Sequence, residues 1–249
     1  MGASASRGNT VAWAFVTTVI LLRHGRSSAN AAGVLAGRAP GVGLDETGRG
    51  QVWALAQRLK PVSLAAVVSS PLERCQQTVA PLVAGRELTV TVDDELVEID
   101  YGEWTGRELK TLSKEPLWKV VQQHPSAVVF PGGEGLAAMQ ARAVASVRGH
   151  DARLAVKHGP TVVWLVCTHG DVIKSVLADA LGLHLDSFQR IVVDPCSISV
   201  VHYTETRPFV SRMNDSGGDV NALIPPPKQS QRKRPISSDA VVGGSTGVC

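Results

Sequence analysis

Cysteine is scarce and unpaired in this chain of 249 residues. Cys75, Cys167, Cys196 and Cys249 stand far apart, with no zinc-type spacing and no redox pair. A disulfide scaffold and a cysteine-held metal centre are therefore excluded as organising principles. The four read as reduced thiols of a cytoplasmic protein, with Cys167 buried in a strand. Long hydrophobic runs are also missing. Val11–Leu22 follows Arg7 and superficially resembles a signal peptide, but it falls short of the roughly 20 apolar residues of a membrane-spanning helix. Its second half is moreover needed as a strand, so no membrane partner is expected. Charge of one sign is lacking too: the formal net charge is only +3, part of it in Arg232-Lys233-Arg234. Without a basic face and a recognition module, nucleic acid is not an expected partner. His124, His150, His158, His184 and His202 are scattered singly, so no metal is expected, and there is no internal repeat.

What is present is an apolar content of 44%, enough for one sizeable core. One α/β domain of this length is ordinary. Val16–Leu22 reads as a strand. Leu44-Asp45-Glu46-Thr47-Gly48 opens a helix to about Lys60, with Asp45 or Thr47 near its cap. Leu64–Ser69 is a strand, Leu72–Val83 a helix, and Leu88–Val92 a strand of alternating Thr and Val. A helix from about Leu136 to Lys157 precedes a strand at Thr161–Cys167. A helix over 171–181 comes next, with Asp171 expected to cap it. Strands at Ser197–Tyr203 and Pro208–Met213 complete the sheet. This alternation predicts an α/β fold with a mostly parallel central sheet and helices on both faces. Residues 16–215 form the expected domain, and 104–130 a Trp- and Pro-punctuated, cap-like insertion over the site. Residues 1–15 are expected to be a disordered extension. Residues 216–249, with Pro225-Pro226-Pro227 and a basic run, are expected to be a disordered tail.

The chemistry begins at Leu21-Leu22-Arg23-His24-Gly25, where an apolar run stops on an arginine and a histidine. The carboxyl end of a buried strand is where ligands collect in α/β proteins. A guanidinium fits phosphate oxygens, an imidazole can be a neutral nucleophile, and glycine lets the backbone come close. Three further segments add to it. Ser69-Ser70-Pro71-Leu72-Glu73-Arg74 puts an arginine in the first turns of a helix after a strand. Leu96–Trp104 places Glu98, Asp100 and Glu103 in a mostly apolar, then glycine-containing stretch, and the residues alone leave open which is the acid. Val162–Asp171 repeats the opening design, ending in Thr168-His169-Gly170.

These blocks resemble the histidine phosphatase superfamily, which includes the cofactor-dependent phosphoglycerate mutases, in its branch of small phosphatases. The matching residues are Arg23-His24-Gly25 with Ser27 and Asn30, Ser70-Pro71-Leu72 with Arg74, Gln77 and Thr78, Glu98 before Tyr101-Gly102, and Thr168-His169-Gly170. They occur in the family's order over roughly residues 18–215. The resemblance implies a three-layer α/β/α sandwich and a metal-independent phosphoric monoester hydrolase with no cofactor. It implies His24 as nucleophile and Glu98 as proton donor. Arg23, Arg74 and His169 would form the phosphate pocket, joined by Asn30 and Gly170. Position 26 is Arg where many relatives carry Glu or Gln. Arg26 is either a pocket cation favouring a more acidic substrate or an outward, solvated charge. Together with Arg38 it is a candidate for substrate selection.

Three readings are open: a phosphatase for a small anionic phosphomonoester, a phosphomutase that returns the phosphoryl group to substrate, and a non-catalytic scaffold. Glu98-Ile99-Asp100-Tyr101-Gly102 lacks the extra basic residues of the mutases, which favours hydrolysis. All five of Arg23, His24, Arg74, Glu98 and His169 are intact, which a scaffold does not need. An acidic pH optimum is expected because the leaving group needs a protonated acid. The oligomeric state is left open, with a homodimer the commonest choice.

Overall fold

The structure, a computed structural model, describes residues 16–217. The expected extension at 1–15 and all but the first two residues of the expected tail lie outside the described residues. Along the chain run β1 (Val16–Arg23), α1 (Ser28–Ala32), α2 (Glu46–Leu59), β2 (Ala66–Ser69), α3 (Glu73–Val83) and β3 (Val90–Val92). Then come α4 (Leu109–Leu112), α5 (Pro116–Gln123), α6 (Leu136–His158), β4 (Val163–Thr168), α7 (Gly170–Ala180), β5 (Ile198–Thr204) and β6 (Pro208–Asp215). Short 3-10 turns lie at Asp94–Leu96, Gly102–Trp104, Pro125–Ala127 and Leu185–Arg190.

The six strands form one sheet in the order β3-β2-β4-β1-β5-β6. The first four are parallel, and β5 and β6 add an antiparallel edge. Period-two alternation divides the core into two layers. Val19, Leu21, Trp164 and Val166 face one side with α6 and α7 residues such as Met139, Val172 and Val176. Ile20, Leu22, Leu165 and Cys167 face the other with Val52 and Leu55 of α2 and Val79 and Leu82 of α3. Strands covered on both faces read as near-continuous apolar runs, which is why β1 and β4 are conspicuous in the sequence. Asp45 is the N-cap of α2, accepting from the Gly48 amide at 2.7 Å.

One expectation is overturned. Asp171 does not cap α7. His169 holds the N-cap position in extended backbone, and Asp171 sits buried in the first turn, where its carboxylate accepts from the Tyr101 hydroxyl at 2.9 Å. The 104–130 segment contributes to the larger core layer. Trp104, Leu112, Trp118, Val121, Val128 and Phe130 are buried there, with Trp104 stacked on Trp118 at 6.2 Å between centroids. Backbone hydrogen bonds Leu35 N to Arg107 O, Gly106 N to Leu35 O, and Leu109 N to Gly33 O tie it to the loop carrying Gly37 and Arg38.

The register of the two central strands places the site. Leu22 pairs with Cys167 and Arg23 with Thr168, so the next residue on each strand is a histidine at the same carboxyl edge. Loss of packing here is expected to be costly. Leu165→Ala, fully buried in β4, should lower unfolding free energy by about 2–5 kcal/mol in urea titration. Val156→Ala, on the exposed face of α6, should change it by less than about 0.5 kcal/mol.

Candidate active site

His24 is 4% exposed and held at both ring nitrogens. Nδ1 lies 2.8 Å from the Gly25 carbonyl oxygen, and Nε2 receives the Arg74 Nε–H at 3.3 Å. A guanidinium only donates, so Nε2 carries the lone pair and the proton sits on Nδ1, donated to Gly25 O. Burial, then Arg74 and Arg23, hold the imidazole well below the usual histidine range, so it is neutral. The Gly25 amide donates to Thr78 Oγ1 at 3.0 Å, and that hydroxyl donates to Arg74 O at 2.7 Å, locking the loop to α3. A Cβ at Gly25 would lie 3.0 Å from Gly48 O and 3.1 Å from Val52 Cγ2, so any larger residue would have to push these neighbours back by a few tenths of an ångström.

Arg74 organises the centre. Its Nη2 donates to Gly37 O at 2.8 Å and to His169 Nδ1 at 3.1 Å. His169 therefore presents an acceptor to the site and places its proton on Nε2, 2.8 Å from Ser70 Oγ. Its ring lies 5.2 Å from that of His24, and burial followed by Arg74 keeps it neutral as well. Arg23 is fully buried and donates through Nη1 to Val193 O at 2.7 Å. Desolvation lowers its pKa to about 10 against the opposing field of Glu98, Asp171 and Asp194, so it remains a cation at neutral pH.

Among the three acids, burial separates Glu98 from the others. Asp100 accepts from the Gly102 amide at 2.9 Å within its own turn, and Glu103 is exposed. Glu98 is buried, and its Oε1 accepts from the Ile99 amide at 3.1 Å. Burial and the Asp171 charge raise its pKa to about 7, against the pull of Arg74, the Ile99 amide and Arg23. A carboxyl poised there can release or take a proton near neutrality.

The structure brings Arg23, His24, Arg74, Glu98 and His169 together. Gly170 comes directly after, as the first residue of α7. Asn30 has its side-chain oxygen occupied by Ser27 N and Ser27 Oγ, at 3.0 and 2.9 Å, in a capping box for α1, which leaves its amide nitrogen as the donor of that side chain. Arg26 pairs with Asp45 at 2.6 Å. Its charge is thus neither bare beside the pocket nor simply solvated. Arg38 donates to Glu98 O at 2.8 Å and to Glu134 at 2.9 Å. His184 caps its own exposed turn, and His150 and His202 pair with Asp93 and with Thr18 and Ser211. Among the described residues no group of three His, Cys, Asp or Glu side chains is placed to hold a metal ion.

A second buried polar group lies behind the first and was not anticipated. Asp171 accepts from Tyr101 and from Lys174 Nζ at 3.4 Å, and Lys174 also donates to Gln189 Oε1 at 3.0 Å. Burial lowers the Lys174 pKa, with Asp171 opposing, and pushes the Tyr101 phenol well up. The signal was in the sequence: Asp171 and Lys174 stand one turn apart in a mostly apolar helix, where buried charges need partners.

The chain is similar to several known proteins. The sequence profile "Histidine phosphatase superfamily (branch 1)" matches residues 19–216. Phosphoserine phosphatase 1 of Hydrogenobacter thermophilus is 31% identical over 199 residues, covering 79% of this chain and 91% of that protein. The protein named "Probable phosphoglycerate mutase GpmB" from Cronobacter sakazakii is 30% identical over 212 residues, covering 84% and 95%. The crystal structure of the alpha-ribazole phosphatase from Shigella flexneri superposes with a TM-score of 0.69 at 27% identity, covering 82% of this chain and 98% of that one.

The electrostatic linkage can be checked directly. Asp171→Asn removes a negative charge that disfavours ionisation of Glu98, so the Glu98 midpoint should move below its value of about 7. Carboxyl ¹³C NMR titration of glutamate-labelled protein reads this shift. An unmoved or higher midpoint would contradict the linkage.

Proposed function

Because the chain belongs to the histidine phosphatase superfamily, branch 1, we propose that it hydrolyses a small anionic phosphomonoester through a phosphohistidine on His24. The carrying observation is the state of His24: Nδ1–H fixed by Gly25 O, and a lone pair on Nε2 facing the Arg74 guanidinium.

Phosphoryl transfer needs positioning and charge stabilisation more than covalent help from the protein. In this reading Arg23 and Arg74 bind the equatorial oxygens while the Nε2 lone pair forms the N–P bond. The P–O bond to the alcohol breaks, and its electron pair takes the proton of Glu98, so a neutral alcohol leaves. Glu98, now a carboxylate, takes a proton from water as that water's oxygen attacks phosphorus. The N–P bond returns its pair to Nε2, and inorganic phosphate departs. Burial and the neighbouring Arg74 keep His169 neutral. A phosphoryl dianion beside it opposes that effect, so the ring can gain a proton and become a donor.

Hydrolysis is favoured over transfer back to substrate because the Glu98–Gly102 segment offers no extra cations for a second phosphate. The mutase reading is carried by the relative of that name. The scaffold reading has no observation in its favour, since Arg23, His24, Arg74, Glu98 and His169 are all kept, buried and brought together, which a scaffold does not need.

Phosphate release from a panel of phosphomonoesters should persist in EDTA and fall at least about a thousandfold in His24→Ala. Rapid quench should trap an acid-labile, base-stable phosphoenzyme in the wild type only. Turnover surviving in His24→Ala would refute the mechanism, and interconversion of phosphoglycerates with little release would establish the mutase instead. The kcat/KM profile should be bell-shaped. The acid limb comes from protonation of His24 well below the usual histidine range, and the alkaline limb near pH 7 from loss of the Glu98 proton. Activity climbing steadily above pH 8 would contradict the assignment of Glu98.

A further inference from the structure

Glu98 sits on irregular backbone, so no sheet or helix ladder fixes the carbonyls around it. Four consecutive carbonyls are instead taken by side chains. Leu96 O accepts from Thr168 Oγ1 at 2.6 Å, just before His169. Arg142 Nη1 donates to Glu95 O and to Val97 O, the latter at 2.9 Å. Arg38 Nε donates to Glu98 O at 2.8 Å, and Arg142 Nη2 reaches the same oxygen at 3.4 Å.

Both arginines are fastened to one carboxylate. Glu134 accepts from Arg142 in bidentate fashion, Nε at 2.7 Å and Nη2 at 2.9 Å, and from Arg38 Nη2 at 2.9 Å. The backbone beneath is equally constrained. Glu134 N donates to Asp100 O at 2.8 Å and Glu103 N to Pro131 O at 2.9 Å. A Cβ at Gly133 would fall 2.3 Å from Asp100 O, so the Pro131–Glu134 turn can lie flat on the Glu98 segment only with glycine there. Burial works against ionisation of Glu134, yet the Arg142 hydrogen bonds and charge hold its carboxyl below the usual range. None of Glu134, Arg38 and Arg142 hydrogen-bonds to His24, Arg23, Arg74 or His169.

We infer that Glu134, acting through Arg38 and Arg142, is a positioning residue that sets where the Glu98 carboxyl stands relative to the leaving-group oxygen. This rests on the reading of Glu98 as general acid. It also gives Arg38 a task other than substrate selection, because its guanidinium is directed at the backbone of the acid.

A positioned proton matters only where the leaving group needs one, and that supplies the test. Glu134→Gln keeps the volume and breaks the bidentate ion pair; Arg38→Met removes one arm of the clamp. Steady-state kinetics are compared on β-glycerol phosphate, whose alkoxide must be protonated, and on p-nitrophenyl phosphate, whose phenolate leaves unaided. Both variants should lose about tenfold to a hundredfold in kcat/KM, which reports the steps up to phosphohistidine formation, on the first substrate. They should lose less than about threefold in kcat/KM on the second; kcat does not separate the two, because Glu98 is also the base in the phosphoenzyme hydrolysis that both substrates share. In a Glu98→Gln background, Glu134→Gln should cost nothing further on β-glycerol phosphate.

Equal losses of kcat/KM on both substrates would overturn the inference as general damage to the fold. A rise in KM without a fall in kcat for Arg38→Met would overturn it in favour of substrate contact, and an undiminished kcat/KM on β-glycerol phosphate would overturn it outright. If circular dichroism shows Glu134→Gln unfolded, Arg38→Met carries the test alone. Failure of the underlying phosphohistidine reading shows separately, as turnover that survives in His24→Ala.

Discussion

Two guanidinium groups held almost out of water govern this site. Arg23 is fully buried and Arg74 is 2% exposed. Cations in such a place need carbonyl acceptors and opposing charge, or desolvation destabilises the fold. Val193 O and Gly37 O supply the acceptors, and Glu98, Asp171 and Asp194 supply the field around Arg23. The same cations, together with burial, keep His24 unprotonated. The site's electrostatics are thus one balance. In the proposed mechanism, an anion that the arginines attract would meet His24 already in its neutral form.

That balance depends on geometry set far from the chemistry. Parallel pairing of β1 with β4, with Arg23 opposite Thr168, puts two His-Gly ends at one edge of the sheet. The Thr168 hydroxyl then reaches across to Leu96 O and ties the acid-bearing segment to the same strand end. Behind it, Asp171 accepts from Tyr101 and Lys174 while raising the Glu98 pKa. Arg23 and Glu98 stay in register because each is attached to this frame, and a slip of one residue in the strand pairing would separate the two histidines.

Much of this was legible in the sequence for a physical reason. The central strands are covered on both faces, so Val19–Leu22 and Val163–Val166 stand out as apolar runs, and the polar residues just beyond each run lie at the ligand-binding edge. Asp45 was readable as one of two cap candidates, beside Thr47, because capping uses contacts three residues away. The errors and omissions share an opposite cause. Asp171 looks like a cap by position, but its partner Tyr101 lies 70 residues away in sequence. Arg142 on α6 looks like one more charge on a solvated helix face, yet it reaches carbonyls 44 to 47 residues earlier. Arg26 and Arg38 were visible as polar groups near the motif, while their partners Asp45 and Glu134, 19 and 96 residues away, were not assignable from spacing alone. Burial, a property of the folded chain, is what sets Glu98 apart from Asp100 and Glu103 as the proposed acid.

The central claim is that phosphorus is attacked twice, first by His24 Nε2 and then by water. Each in-line displacement inverts the configuration at phosphorus, so two restore it. The most direct test is hydrolysis, in ¹⁷O-enriched water, of a phosphorothioate monoester made chiral with ¹⁸O, with the configuration of the released thiophosphate determined by ³¹P NMR. Net retention is the result this account predicts. Net inversion would mean a single direct attack by water and would remove His24 from the covalent role on which the account rests.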